Sequence, residues 1–247
     1  MFIILIFILL CIWAVKEGIE LLGKWTEFFA NFVIFFILVL VLLSIPNMEK
    51  NNILPVMYNG TGPIIKGMIS SFTFPFGETV VFTMVLGSLK DKKSPYKIFL
   101  TGMLVGGVIL VIVTLMNVLV LGEEFMLALY FSTYSSIRMV NVGDFIQRVE
   151  GTVAISFIIA GFIKVCVCLM AACSGLAKLL KINSHRVLVT PVALLMVEAG
   201  YANYVSITAM YDWLYRVYYI YALPFQVFLP IIILIGCEIK VRKNKKQ

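Results

Sequence analysis

The sequence predicts an all-α polytopic membrane protein of seven transmembrane helices. Of its 247 residues 62% are hydrophobic, about 153 side chains, which is more than a soluble domain of this size hides in its interior. Only 13% are charged, and the mean hydropathy is +1.03. The apolar residues fall into runs of span length, roughly 20 residues each, separated by polar or turn-rich breaks. A water-soluble globular enzyme is thereby excluded. No stretch of ordinary composition is left for a large domain outside the lipid, so residues 1–247 read as one transmembrane domain ending in a short basic tail, 238–247.

The first run, 2–22, resembles a signal peptide at its start but lacks a positive n-region and a small-residue cleavage site, so it reads as a membrane span. The second, 28–45, is stopped by Pro46-Asn47. The third, 62–89, carries an interruption in its middle. The fourth, 98–121, holds Gly102 and Gly106, a Gly-x-x-x-Gly spacing that lets a neighbouring helix approach closely. The fifth is 145–180, the sixth 187–201 and the seventh 219–237. Between the fourth and fifth, residues 125–131 are apolar enough for a short helix lying in the outer interface. Asn59-Gly60-Thr61 matches a glycosylation acceptor, but Asn-Gly is also a turn signal, and the turn is the preferred reading.

Lysine and arginine set the orientation. Lys90, Lys92, Lys93 and Lys97 follow the third span, Lys178, Lys181 and Arg186 follow the fifth, and Lys240, Arg242, Lys243, Lys245 and Lys246 fill the tail. Those three segments belong in the cytoplasm. The other connections, 46–61, 122–144 and 202–218, carry Glu49, Glu123, Glu124, Asp144 and Asp212 and belong outside. All seven spans then alternate, but the first must begin outside, which an even number of upstream helices, or an odd number with a cytoplasmic N-terminus, would explain.

The net charge of +7 is concentrated in these loops and does not mark a nucleic-acid surface. Cys11, Cys166, Cys168, Cys173 and Cys237 sit in apolar stretches without metal-ligand spacing and read as small buried hydrophobes. Catalytic triads, phosphate loops and zinc-hydrolase motifs are missing from the sequence, so no enzyme, cofactor or metal site is expected.

The chemistry concentrates in the interrupted third span, at Ser70-Ser71-Phe72-Thr73-Phe74-Pro75-Phe76-Gly77-Glu78. Proline removes a backbone donor and clashes with the preceding turn, and glycine two positions later frees the chain to swing away. The helix is expected to unwind there. Unwound backbone inside a membrane is tolerated only against protein or a wet cavity, and such half-helix ends are where transporters hold substrates. A proline kink that only shapes packing is the alternative, but Glu78, an intramembrane carboxylate, favours a site. Thr73, Phe74, Pro75, Phe76, Gly77 and Glu78 are therefore the candidate ligand-binding residues.

Lys164 is the second intramembrane charge, 16 residues after Arg148 and 14 before Lys178. It reads as a fixed charge at the cavity, as a protonation switch, or as the structural partner of Glu78 or Glu198. Asp144, Arg148 and Glu150 form an outer charge cluster at the start of the fifth span, and Lys16, Glu17, Glu20, Lys24 and Glu27 a solvated corner between the first two.

Several segments together resemble one family. Gly18-Ile19-Glu20 through Lys24, Leu54-Pro55, Phe74-Pro75-Phe76-Gly77-Glu78, Val120-Leu121-Gly122, the stretch from Val142-Gly143-Asp144 through Arg148-Val149-Glu150, and Gly161-Phe162-Ile163-Lys164 resemble the B subunits of spore nutrient-germinant receptors, the endospore germination permease family. The resemblance covers nearly the whole chain. It implies a ten-helix inverted-repeat bundle of the amino acid–polyamine–organocation type, with the seven spans as helices four to ten and the first three absent, a truncated form. It further implies a small nutrient ligand, an A subunit and a lipoprotein C subunit as partners, and residence in the inner membrane of the endospore. Thr73 to Glu78 would line the germinant pocket. A proton-coupled amino-acid permease and an inactive remnant are the alternatives.

Overall fold

The computed structural model describes residues 2–58, 60–86, 95–140 and 149–244. Among them all regular structure is helical. The α-helices are α1 (Phe2–Glu17), α2 (Ile19–Ser44), α3 (Gly62–Ser71), α4 (Phe82–Leu86), α5 (Pro95–Leu121), α6 (Glu123–Ala128), α7 (Ser132–Arg138), α8 (Glu150–Leu179), α9 (Arg186–Asn203), α10 (Ile207–Arg216), α11 (Tyr218–Leu223) and α12 (Leu229–Asn244). Tight 3₁₀ turns lie at Ile45–Asn47, Lys50–Ile53 and Gly77–Val81, and wide π turns at Phe72–Phe76 and Pro224–Phe228.

Four stretches among the described residues are long and apolar enough to cross a membrane: Ile19–Asn47, Tyr96–Leu121, Glu150–Leu179 and Tyr218–Lys240. A fifth results if Arg186–Asn203 and Ile207–Arg216, bent by 92°, form one span. The expected spans 28–45, 98–121, 187–201 and 219–237 fall on these, as does the described part of 145–180; 145–148 lie outside the described residues. Residues 62–86 of the third run form α3, the two turns after it and α4, which are not among these stretches, and 87–89 lie outside the described residues. The run 2–22 is divided, because Gly18, at φ +109, adopts a conformation other residues avoid and lets α2 begin at Ile19. At 16 residues, α1 rises about 24 Å. Most of the Lys16–Glu27 charges thus sit on the first turns of α2 and not in a loop before residue 28.

The chain forms two compact units, Met1–Tyr58 with Asp91–Leu169 and Asn59–Lys90 with Met170–Gln247. In the first, α5 shows how an almost uniformly apolar helix chooses its faces. Val113, Met116 and Val120, at i, i+3 and i+7, pack with Leu40 of α2, Ile137 of α7, Val140 and Val153 of α8. Leu104, Val108 and Val111 remain exposed, as a lipid-facing stripe does. Gly102 and Gly106 have nothing within 4 Å of a notional Cβ, so the Gly-x-x-x-Gly face is open among the described residues. On α1, Ile8, Cys11, Ile12 and Val15 are buried, Phe7 meets Phe162 of α8 edge-on at 6.2 Å, and Trp13 meets Trp25 of α2 at 6.4 Å.

Apolar burial drives little helix association where the solvent is itself apolar, so packing and interhelical hydrogen bonds hold such a unit. The bonds here come from asparagines. Asn117, 5% exposed, donates through Nδ2 to Thr133 Oγ1 at 2.9 Å and accepts at Oδ1 from the buried Ser136 hydroxyl at 2.9 Å, tying α5 to α7. Asn52 Nδ2 and the Glu49 amide both donate to the Leu119 carbonyl, at 2.8 and 3.0 Å, and Asn47 Nδ2 donates to the Met139 carbonyl at 2.7 Å. The interfacial helix expected at 125–131 is instead the pair α6 and α7, separated by extended backbone at Leu129.

In the second unit α9 buries Val189, Val192 and Ala193 on one face. The turn into α10 is capped by Ser206, whose hydroxyl accepts the Ala209 N–H at 3.1 Å, an N-cap worth about 1 kcal/mol. Of the cysteines, Cys11, Cys166 and Cys173 are buried and Cys168 partly so, but Cys237 is exposed on α12 near the basic end, contrary to expectation. An apolar neighbourhood in sequence does not bury a residue whose helix turns that face outward. Asn59, Lys90, Lys92, Lys93, Lys245 and Lys246 lie outside the described residues.

Asn117→Leu should leave the buried Ser136 hydroxyl without its acceptor and lower the unfolding free energy by about 1–2 kcal/mol. A thermal melt of the full chain in detergent measures this, and a midpoint equal to the unsubstituted chain's would show that the cluster does not hold α7 to α5.

Candidate ligand site at the broken span

Pro63 sits in the first turn of α3, where its missing N–H costs nothing, and the helix runs regularly to Ser71. There it comes apart. Pro75 offers no N–H to the turn before it, Phe74 takes extended angles (φ −138°, ψ 117°), the Phe74–Pro75 peptide is cis, and the Gly77 amide reaches back five residues to the Phe72 carbonyl. The chain resumes through the 3₁₀ turn Gly77–Val81 into α4. The expected unwinding is thus observed at the expected residues.

Released carbonyls need donors. Threonines supply several locally: the Thr73 hydroxyl lies 3.1 Å from the Ile69 carbonyl and 3.0 Å from that of Ser70, Thr79 donates to Phe76 at 2.5 Å, and Thr83 to Val80 at 2.7 Å. The Thr73 carbonyl itself is met from a distant part of the chain. Gln226 lies in the second break, the π turn Pro224–Phe228, and its Nε2 donates to the Thr73 carbonyl at 3.0 Å and to the Tyr218 hydroxyl oxygen at 3.3 Å. Tyr218 in turn donates to Glu78 Oε1 at 2.9 Å. A continuous chain of hydrogen bonds therefore joins the carbonyl on one side of Pro75 to the carboxylate on the other.

Gln226 Oε1 is buried with no hydrogen-bond partner among the described residues. An unsatisfied buried acceptor costs about 1–3 kcal/mol. The amide cannot turn over to relieve it, because the Thr73 carbonyl offers only lone pairs and must meet the NH₂ end. The oxygen rests against Gly77, where a Cβ would overlap it and lie 2.6 Å from Gln226 Cδ. Aromatic rings line the same place: Phe74 stands edge-on to Tyr218 at 6.2 Å, and Trp213 lies 5.5 Å from Tyr218 and 6.2 Å from Tyr221, between ring centroids.

The sequence-derived residues are thus placed as follows. Thr73, Phe74, Pro75, Phe76, Gly77 and Glu78 all fall on the break; Thr73 is 1% exposed and Glu78 half-buried. Lys164 lies in the first unit, on α8, with its side chain exposed. Glu150 opens α8, where a carboxylate suits the helix dipole, and Asp144 and Arg148 lie outside the described residues. Sequence reasoning missed Tyr218 and Gln226. The available signal was Pro224-Phe225 followed by a polar residue inside an apolar run, a second Pro-Phe step like Pro75-Phe76.

Four or five apolar helices of spanning length among the described residues define an integral, multi-pass membrane protein. The chain belongs to the spore germination protein family, the spore permeases, whose family model matches residues 1–203. It is 29% identical over 241 residues to spore germination protein KB of Bacillus subtilis (strain 168), which covers 96% of this chain and 64% of that one. A second protein of the same organism, YfkT, whose name assigns it to spore germination provisionally, is 22% identical over 209 residues, 85% of this chain and 56% of its own. The chain thus spans less than two thirds of the length of either relative. No solved structure matches it.

Because a Cβ at residue 77 overlaps the Gln226 amide, Gly77→Ala should expel that side chain and sever both of its hydrogen bonds. Amide hydrogen exchange over residues 72–81 should quicken about tenfold, with α5 and α7 unaffected. Exchange that stays as slow as in the unsubstituted chain would mean that Gln226 does not hold the break.

Proposed function

We propose that this protein is the membrane subunit of a spore nutrient-germinant receptor, sensing a small nutrient, an amino acid or a similar molecule, at the broken span and so triggering germination. In this reading it resides in the inner membrane of the endospore with an A subunit and a lipoprotein C subunit. The observation that carries it is the hydrogen-bonded chain from the Thr73 carbonyl through Gln226 and Tyr218 to Glu78. It sets a backbone acceptor freed from its helix and a carboxylate together at a helix break, the combination that serves a small polar ligand inside an apolar bundle. Family membership and the germination names of the relatives agree with it.

Sensing asks only that ligand bind one state of the bundle better than another. In this reading the states differ in whether the side-chain hydrogen bonds across the break are made. Lys164 contributes an intramembrane charge in the same reading. A proton-coupled amino-acid permease is the second reading, favoured by the placement of a half-buried carboxylate, Glu78, beside the break.

Spores expressing the chain with its partner subunits test the first reading. Pro75→Ala and Glu78→Ala should each raise the germinant concentration for half-maximal response about tenfold or more. An unchanged concentration dependence in both variants removes the receptor reading. Uptake of labelled amino acids into proteoliposomes driven by a pH gradient, abolished by Glu78→Gln, would instead establish the permease.

A further inference from the structure

We infer that Gln226 is a latch: its amide occupies the acceptors that a ligand with a cationic nitrogen would use, and such a ligand binds by displacing it. The inference rests on the reading of the broken span as a ligand site and adds the ligand's chemical class and the residue that competes with it. Nε2 spends its two protons on the Thr73 carbonyl and on the Tyr218 oxygen, the latter already committed to Glu78. A primary ammonium offers the same geometry of divergent N–H donors, and its charge suits the carboxylate end of the chain better than a neutral amide does. A carboxylate-only ligand finds no donors on these groups, because each is an acceptor or has its proton engaged.

Two features make the amide displaceable. Its oxygen is buried without a partner, so leaving the site lets that oxygen recover hydrogen bonds elsewhere. It is also carried on the Pro224–Phe228 π turn, where the helix is already irregular, and it is received by Gly77, which offers no side chain to trap it. Apparent affinity for a ligand that needs the latch open is lowered by the fraction of molecules in which it is open.

Trp213, beside Tyr218 and Tyr221, reports on the site. In the full chain in lipid nanodiscs, with Trp13→Phe and Trp25→Phe leaving Trp213 as the fluorophore, propylammonium, L-alanine and butyrate are titrated at constant ionic strength. Propylammonium and L-alanine should change the Trp213 emission and butyrate should not. In Gln226→Met, which keeps the length but has no donor, half-saturation should fall about tenfold. Gly77→Ala, which expels the amide sterically, should shift it in the same direction, so the outcome does not hang on one variant folding. Equal or weaker binding in both variants, a preference for butyrate, or no response to any probe in any form would overturn the inference. The readout is binding alone, so a chain that binds ammonium in this way and triggers no germination keeps the latch and loses the receptor reading. A receptor-competent chain whose variants bind propylammonium no more tightly does the reverse.

Discussion

A carbonyl released from its helix and buried must find a donor within the chain, and much of the second unit follows from that constraint. Pro75 removes a donor and turns Phe74 out of helical geometry. The threonines at 73, 79 and 83 absorb nearby carbonyls through their own hydroxyls, a repair that needs no second element. The Thr73 carbonyl is repaired from 153 residues away by Gln226. That requirement brings a second irregular turn to the first and asks for a residue without a side chain at position 77, since the amide lies where a Cβ would be. Proline, glycine and glutamine are one solution to a single backbone problem, distributed over two segments.

The first unit meets the same constraint without a break in its long helices. Its α2, α5 and α8 satisfy their backbones internally, and the exposed groups are at the ends, where chain turns replace helix. Asn47, Asn52 and Asn117 do there what Gln226 does in the second unit, each sending an amide N–H across to another segment. Amide side chains suit this work because they carry donors without a charge, and a neutral donor in a low-dielectric setting is far cheaper to keep than an ammonium.

This also explains which parts were legible in the sequence. The break at Pro75 was, because a missing N–H followed by glycine is local chemistry that no tertiary context restores, and an apolar run holding a glutamate draws the eye to it. The stop at Pro46-Asn47 was legible for the same reason. The division at Gly18 was not: glycine is common in apolar runs, and only its φ of +109 distinguishes a corner from a helical position. Tyr218 and Gln226 were invisible as site residues, since their partners lie 140 and 153 positions away and neither residue type is unusual in a membrane span. Long-range pairing is written in the fold and only indirectly in the pattern, here through the second proline.

The direction of the hydrogen bonds in the network is fixed from its charged end. A carboxylate accepts only, so Tyr218 must spend its one proton on Glu78, and the contact is charge-assisted. Its oxygen is then left to accept, which turns the NH₂ end of Gln226 toward it; the Thr73 carbonyl, also an acceptor, demands the same orientation. With both protons of the amide so committed, its oxygen has nowhere to face but Gly77, and it is there that it lies without a partner. The unsatisfied acceptor therefore follows from two acceptors, the Tyr218 oxygen and the Thr73 carbonyl, that both claim the NH₂ end. Glu78 therefore fixes the direction of the Tyr218 bond, and the Thr73 carbonyl holds the Gln226 amide in the same orientation from the other end, so the two breaks engage through acceptors on both sides of one amide.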